Sequence, residues 1–120
     1  MNRKLTFTLN SQLKSGKNRV LITRTGHRYP PKEFKMWRDG MLAQIGKVDA
    51  PIVGPVALSV EYTPGDKIRR DVPGMLDAIC HILERSGLVL DDAQVKMVKW
   101  MTRPVSPKKA HCIITLEECK

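Results

Sequence analysis

The sequence lacks any long apolar run. No stretch approaches the roughly 18 consecutive apolar residues of a membrane-spanning helix, so we expect no membrane association. The first residues are basic and then alternate between polar and apolar, which favours a strand over a signal peptide. There is no internal repeat and no low-complexity segment. With 42% apolar and 28% charged residues, the composition is typical of one soluble globular domain spanning residues 1–120.

Cysteine is also scarce. Cys80, Cys112 and Cys119 are odd in number and follow neither a CxxC nor a Cys/His spacing, so a structural zinc site is not expected. We expect free thiols in a reducing cytoplasm, with Cys80 and Cys112 in the core. The GxxxxGK[ST] spacing of a phosphate-binding loop is absent as well, and we predict no small-molecule cofactor.

Acidic residues are the third shortage. Twelve Asp and Glu stand against 21 Lys and Arg, which gives a net charge of +9 and an isoelectric point near 9.8. Such an excess favours a polyanionic partner, because each phosphate contact releases condensed counterions. The alternative is a basic protein that is merely soluble or resembles ribosomal proteins.

One basic segment precedes the first predicted helix. It reads as a hairpin or an irregular loop, with Gly26 at its turn. We predict that it contacts a DNA backbone, against the alternative of a solvated loop. Its basic residues are Lys14, Lys17, Arg19, Arg24 and Arg28.

Hydrophobic periodicity predicts the elements of the fold. Helical spacing predicts one helix after Pro30 and Pro31, and a second from Pro73 to Ser86 that Gly87 closes. Four segments have the pattern of strands, namely Leu5–Leu9, Val56–Thr63, Val95–Arg103 and Cys112–Leu116. This order predicts an α+β domain: a mixed β-sheet of four to five strands with two main helices.

Each helix has a predicted apolar stripe. In the first helix Trp37 lies on the stripe, which favours core packing over base stacking. In the second helix Asp77 and His81 are four residues apart and project together on the opposite side, with Glu84. The stripe of the second helix is Met75, Ile79, Ile82, Leu83 and Ser86.

The few acidic residues concentrate between Lys67 and Val95, as Asp71, Asp77, Glu84, Asp91 and Asp92. Carboxylates from different elements within a basic surface suit a Mg²⁺ or Mn²⁺ ion that faces a phosphodiester, because these ions prefer near-octahedral oxygen ligands. A purely structural reading is open too. In it, Asp71 caps a helix, Asp77 is an exposed charge, and Asp91 with Asp92 forms a turn.

The arrangement Arg69-Arg70-Asp71, an amphipathic helix, Gly87 and then Leu90-Asp91-Asp92-Ala93-Gln94-Val95 resembles the RusA family of Holliday-junction resolvases. The likeness covers nearly the whole chain, including the N-terminal strand and the basic loop. Family members are small Mg²⁺-dependent endonucleases, common in phages and prophages, that nick two opposing strands of a four-way DNA junction. The resemblance therefore implies a RusA-like fold, branched DNA as substrate and a two-fold symmetric homodimer in the cytoplasm of a bacterium or phage-infected host.

The match to the family motif is partial. The family pattern is Asp-x-Asp-Asn followed by a lysine, and then a distal Asp pair. Its first acid falls on Asp71 and its distal acid on Asp92, with Asp91 beside it. The positions that depart are Pro73, Gly74 and Asp77, where the family has an acid, an asparagine and a lysine.

Two hypotheses account for the departures. In a variant active site, Asp77 supplies the carboxylate lost at Pro73, because the lost and the gained acid occur together; His81 then assists. In a degraded site, a junction-binding protein without cleavage remains. A basic scaffold with no role on nucleic acid is a third hypothesis.

Under the variant-site hypothesis, metal-assisted hydrolysis of junction DNA has named participants. The catalytic residues are Asp71, Asp77, Asp92 and Arg70, and the metal ligands are Asp71, Asp77, Asp91 and Asp92. Lys67, Arg69 and Arg70 hold the scissile phosphate. The flanking DNA backbone is bound by Lys14, Lys17, Arg19, Arg24, Arg28, Lys108 and Lys109.

Overall fold

The computed structural model describes residues 3–14, 21–22, 28–29, 32–68 and 70–119. Its elements in chain order are β1 (Lys4–Leu9), β2 (Leu21–Ile22), β3 (Arg28–Tyr29), α1 (Lys32–Ile45), β4 (Val56–Thr63), α2 (Val72–Ser86), a 3₁₀ helix (Asp92–Gln94), β5 (Val95–Thr102) and β6 (His111–Glu118). No helix in these ranges is long and apolar enough to cross a membrane.

The main sheet has the strand order β1-β6-β4-β5. β6 is antiparallel to both of its neighbours, whereas β5 is parallel to β4. The predicted α+β domain, with a mixed sheet and two main helices, is therefore confirmed. β2 and β3 pair antiparallel as a separate hairpin, and its turn, with Gly26, lies outside the described residues.

Every second side chain of β4 packs into the hydrophobic core. Val56, Leu58, Val60 and Tyr62 are each at most 2% exposed, while the residues between them are only half-buried. Met75, Ile79, Ile82 and Leu83 of the predicted α2 stripe pack into the same cluster, whereas Ser86 is not part of it. Trp37 of α1 is buried there too and donates its indole N–H to the carbonyl of Gln12 at 2.8 Å. The prediction that Trp37 is a core residue is confirmed.

Both ends of α2 match their sequence signals. Asp71 is the N-cap, and its Oδ2 accepts a hydrogen bond from the Gly74 N–H at 2.8 Å. Gly87 ends the helix in the left-handed conformation, with φ of 86°, which a residue with a Cβ adopts only at a cost. The helix begins one residue before Pro73, which is tolerated in a first turn.

The β4–α2–β5 crossover decides where the acidic residues lie. In the parallel pair, Val56 is opposite Val95 and Tyr62 is opposite Thr102. Asp71 follows the C-terminal end of β4, whereas Asp92 precedes the N-terminal end of β5. These ends are at opposite edges of the sheet, about 20 Å apart for six residues of strand.

Candidate functional site

The loop between β4 and α2 is organised by Asp66. Its Oδ1 accepts hydrogen bonds from Arg70 Nη1 at 2.8 Å, from the Ile68 N–H at 3.0 Å and from Gln12 Nε2 at 2.9 Å. Its Oδ2 accepts from Arg70 Nη2 at 3.2 Å. The hydrogen bond from the Arg70 guanidinium is the main reason that the pKa of Asp66 is lowered and that of Arg70 raised. Arg70 is thus held in place by a bidentate ion pair.

Gln12 fixes the same loop to the end of β1. Its Oε1 accepts from the Gly65 N–H at 2.7 Å, and its Nε2 reaches Asp66. A Cβ added at Gly65 would lie 3.1 Å from the Cβ of Ala110, so glycine permits this close approach. Gln12 and Asp66 are not predictable as site residues from the sequence, because neither lies in a recognisable motif.

Lysines distant in sequence gather at this edge of the sheet. The Ser106 N–H donates to the Pro64 carbonyl at 2.9 Å, and the Lys108 N–H to the Gly65 carbonyl at 3.3 Å. These bonds hold the β5–β6 loop against the β4–α2 loop, while Gln12 brings the chain near Lys14 to the same place. We call this surface the basic end; its exposed lysines are Lys14, Lys67, Lys108 and Lys109.

The structure does not test the remaining predicted DNA contacts. Lys17, Arg19, Arg24 and Arg69 lie outside the described residues. For Arg28 the structure gives only its backbone position, in β3. Their roles stay predictions.

Asp71 borders the basic end. Its neighbour Arg70 is paired with Asp66, and the exposed Lys67 lies in the same loop. The carboxylate of Asp71 is exposed, and capping uses its Oδ2, which leaves Oδ1 for a further partner. An exposed carboxylate is thereby placed next to a cationic surface.

The other acidic pair lies around the 3₁₀ helix. Asp91 is its N-cap, and its Oδ1 accepts from the Ala93 N–H at 2.8 Å. Gln94 completes a capping box, because its Oε1 accepts from the Leu90 and Asp91 N–H groups at 2.7 and 3.0 Å. Asp91 therefore has a structural role, as the alternative reading of this turn predicts, and the exposed Asp92 is the freer ligand candidate.

Gln94 also fixes this turn to the rest of the protein. Its Nε2 donates to the Ile52 carbonyl at 2.7 Å and to the Gly54 carbonyl at 2.9 Å. All four hydrogen-bonding directions of a primary amide are thus in use. These four hydrogen bonds, which we call the Gln94 clamp, fix the position of Asp92. They cannot be recognised from the sequence.

Asp77 and Asp92 both lie near enough to Cys80 for their charges to act on its thiol. Burial, together with the smaller effect of the nearby charges of Asp92, Asp77 and Glu84, raises the pKa of the Cys80 thiol to about 11. The 3₁₀ helix also contacts α2. Asp77 and Asp92 therefore share one neighbourhood, which we call the acidic face.

Asp71 does not belong to the acidic face. Cys80 lies nine residues beyond Asp71 along α2, a rise of about 13 Å. Oxygen ligands of one Mg²⁺ ion lie about 2.1 Å from the metal and hence within about 4 Å of one another. One chain does not bring Asp71 and Asp92 to the same ion.

Among the described residues, no three His, Cys, Asp or Glu side chains form a group that could hold a metal ion. Mg²⁺ commonly takes only one or two carboxylates and completes its shell with water and substrate phosphate. Asp77 and Asp92 are both exposed, and Cys80, as a neutral thiol, does not compete with them for a cation.

His81 differs from its predicted position beside Asp77. It is half-buried, with its ring 5.9 Å from the ring of Phe34 in α1, and its Nε2 is buried with no hydrogen-bond partner in the described part of the chain. Burial lowers its pKa, and the charges of Arg38 and Arg85 lower it further. Contact between α1 and α2, which helical periodicity alone does not reveal, explains the difference. His81 faces the helix interface and not the acidic face.

No protein-family model and no curated protein matches this chain. The functional assignment therefore depends on the side chains and their arrangement.

Proposed function

We propose that the protein is a metal-dependent endodeoxyribonuclease of the RusA type, which resolves four-way DNA junctions by paired symmetric nicks. The observation that carries the proposal is the position of Asp71 at the border of the basic end. Hydrogen bonds join the loop with Lys108 and Lys109, and the segment before Lys14, to the loop with Lys67. All four lysines and the Asp71 carboxylate are exposed. A surface that binds phosphates and holds an acid among them suits phosphodiester hydrolysis.

The residues have separate tasks in this proposal. The four lysines bind backbone phosphates, and Arg70, oriented by Asp66, adds a preorganised guanidinium beside Asp71. Asp77 and Asp92 would hold Mg²⁺ or Mn²⁺ together with water. The ion, when bound, stabilises charge on the phosphate and lowers the pKa of a bound water.

A homodimer would bring the separated acids together. Because Asp71 and Asp92 lie at opposite edges of the sheet, we propose that Asp71 of one copy meets the acidic face of the other. Two-fold symmetry then produces two equivalent sites and two equivalent nicks. Cytoplasmic location is part of the same proposal.

The helix-capping roles of Asp71 and Asp91 favour a second function. Asp71 and Asp91 each use one carboxylate oxygen to stabilise a helix start, so both acids have a structural reason to be present. On this reading the protein binds junctions at the basic end and does not cleave them.

One experiment separates the two. Wild-type protein is incubated with a labelled four-way junction and with a matched linear duplex, in Mg²⁺ and in EDTA. The nuclease predicts paired nicks in the junction only with Mg²⁺. The binding protein predicts an equal gel shift in both buffers and no nicks, and a scaffold unrelated to nucleic acid predicts weak binding even at low salt.

The lysines are tested by the salt dependence of junction binding. Replacing Lys67 or Lys108 by Gln should weaken binding to all DNA sequences and reduce the slope of log K against log salt by about 1 each. Lys35→Gln is the control, because this exposed lysine lies on α1, which contributes no residue to the basic end or to the acidic face. If the slope of log K against log salt were unchanged in both the Lys67 and the Lys108 variant, the basic end would not be the DNA-binding surface.

A further inference from the structure

A pocket of about 250 Å³ opens between the β4–α2 loop and the β5–β6 loop. Apolar side chains from three segments line it, together with three charged residues, Lys67 and the ion-paired Asp66 and Arg70. Its apolar residues include Tyr62, Ile68, Val72, Met75 and Val105. This volume is below the roughly 300–1,000 Å³ of pockets for drug-sized ligands, so it suits one small ring system.

The apolar lining is unusually open to solvent. Ile68 is 66% exposed, and Val72 and Val105 are each 37% exposed. Single exposed apolar residues are common, but three that line one concavity among basic groups indicate a ligand that is flat, apolar and attached to an anion. A nucleobase on its sugar-phosphate chain has these properties.

Tyr62 forms part of the pocket wall. The residue is 2% exposed, and its buried hydroxyl makes no hydrogen bond to any described residue. Burial raises the pKa of this hydroxyl. Because the hydroxyl is closed to solvent, Tyr62 offers a ligand in the pocket apolar surface only.

The pocket is continuous with the proposed active site. Arg70 and Val72, the residues on either side of Asp71, both line it. A DNA strand with a phosphate beside Asp71 would therefore present the attached base to this opening. Bases at a branch point have fewer stacking partners than bases within a duplex, and removing such a base from the stack costs least there.

We propose that this pocket receives one unstacked nucleobase of the strand whose phosphate lies against Asp71. The inference depends on the proposed function, and it adds a reason why branched DNA is preferred to a linear duplex. The apolar walls contact the faces of the base, and Lys67 and Arg70 contact its phosphate.

The test places 2-aminopurine next to the branch point of a four-way junction and measures binding and fluorescence in EDTA, where no cleavage occurs. Binding of wild-type protein should raise the fluorescence, because the base leaves its stack. Val105→Phe, which fills the pocket without changing charge, should abolish the rise and weaken binding about tenfold, a typical value for one stacked base. Met36→Phe is the matched control, since Met36 is 65% exposed on α1 and does not line the pocket.

Two additions keep the result decisive. Ile68→Ser shortens an exposed side chain and should weaken binding in the same direction, even if Val105→Phe proves unstable by circular dichroism. An abasic residue at the probe position should remove the difference between wild type and Val105→Phe. A fluorescence rise and affinity equal to wild type in both pocket variants would overturn the inference while leaving junction binding intact. Failure of wild-type protein to bind the junction would overturn the proposed function and this inference together.

Discussion

Replacing Gln94 by Ala should destabilise the protein and displace Asp92. The side chain makes four hydrogen bonds, of which those to the Ile52 and Gly54 carbonyls are partly buried. At about 1 kcal/mol for each of those two bonds, the loss is about 2 kcal/mol. Loss of the capping box adds about 0.5–1 kcal/mol. For a chain of this size we expect Tm to fall by about 8–12 °C.

The assay is thermal unfolding followed by far-ultraviolet circular dichroism, with urea unfolding as a second measure. Gln94→Glu separates the two halves of the clamp, because a carboxylate still accepts from the Leu90 and Asp91 N–H groups but repels the Ile52 and Gly54 carbonyls. It should destabilise at least as much as Ala.

Gln44→Ala is the matched control for this substitution. Gln44 makes two hydrogen bonds to the Asn10 backbone, at 2.6 and 3.4 Å, and both are exposed. Its loss should therefore lower Tm by only a few degrees. The stabilising role of the Gln94 clamp would be refuted if the Tm of Gln94→Ala lay within about 2 °C of wild type. It would also be refuted if Gln44→Ala lowered Tm as much as Gln94→Ala does.

Three further predictions follow from the described contacts. Gly65→Ala should cost about 1–3 kcal/mol of stability, because its Cβ would meet Ala110 at 3.1 Å, whereas Gly54→Ala meets nothing within 4 Å and should be nearly neutral in urea unfolding. Folding lowers the pKa of His81 from 6.5, so near and below pH 6.5 the unfolded chain binds more protons than the folded protein. The free energy of unfolding, measured by urea titration, should therefore rise as the pH is raised toward 6.5. His81→Gln should flatten this rise. Asp71→Asn and Asp92→Asn, each inactive alone, should regain single-strand nicking when mixed as heterodimers, and no recovery would contradict a site shared between two copies.

Much of the fold was predictable from local patterns. The alternation in β4 and the helix signals of α2, with Asp71 before it and Gly87 after it, identify elements whose burial depends on period and whose ends depend on local hydrogen bonds. Such features need only neighbouring residues. The edge strand β5 was less clear, since Met97 and Val98 are both exposed there and the alternation is weak.

The candidate site was less predictable, because it depends on contacts between distant segments. Gln12, Asp66 and Gln94 are ordinary polar residues in sequence, and only the folded chain shows that each joins two or more segments. The separation of Asp71 from Asp92 could have been anticipated. A helical crossover between adjacent strands makes them parallel, so the start of the second lies far from the end of the first.

The central claim is that Asp71 acts on DNA held at the basic end. Asp71→Asn tests it most directly, because asparagine is as good an N-cap as aspartate and should leave α2 and the fold intact. Asp39→Asn is the control, as this acid is also exposed, at 66% of its side chain, but lies on α1 beside Arg38. Nicking of a four-way junction in Mg²⁺ should be lost in Asp71→Asn, with junction binding retained, and should persist in Asp39→Asn. Wild-type rates of nicking by Asp71→Asn would contradict the account.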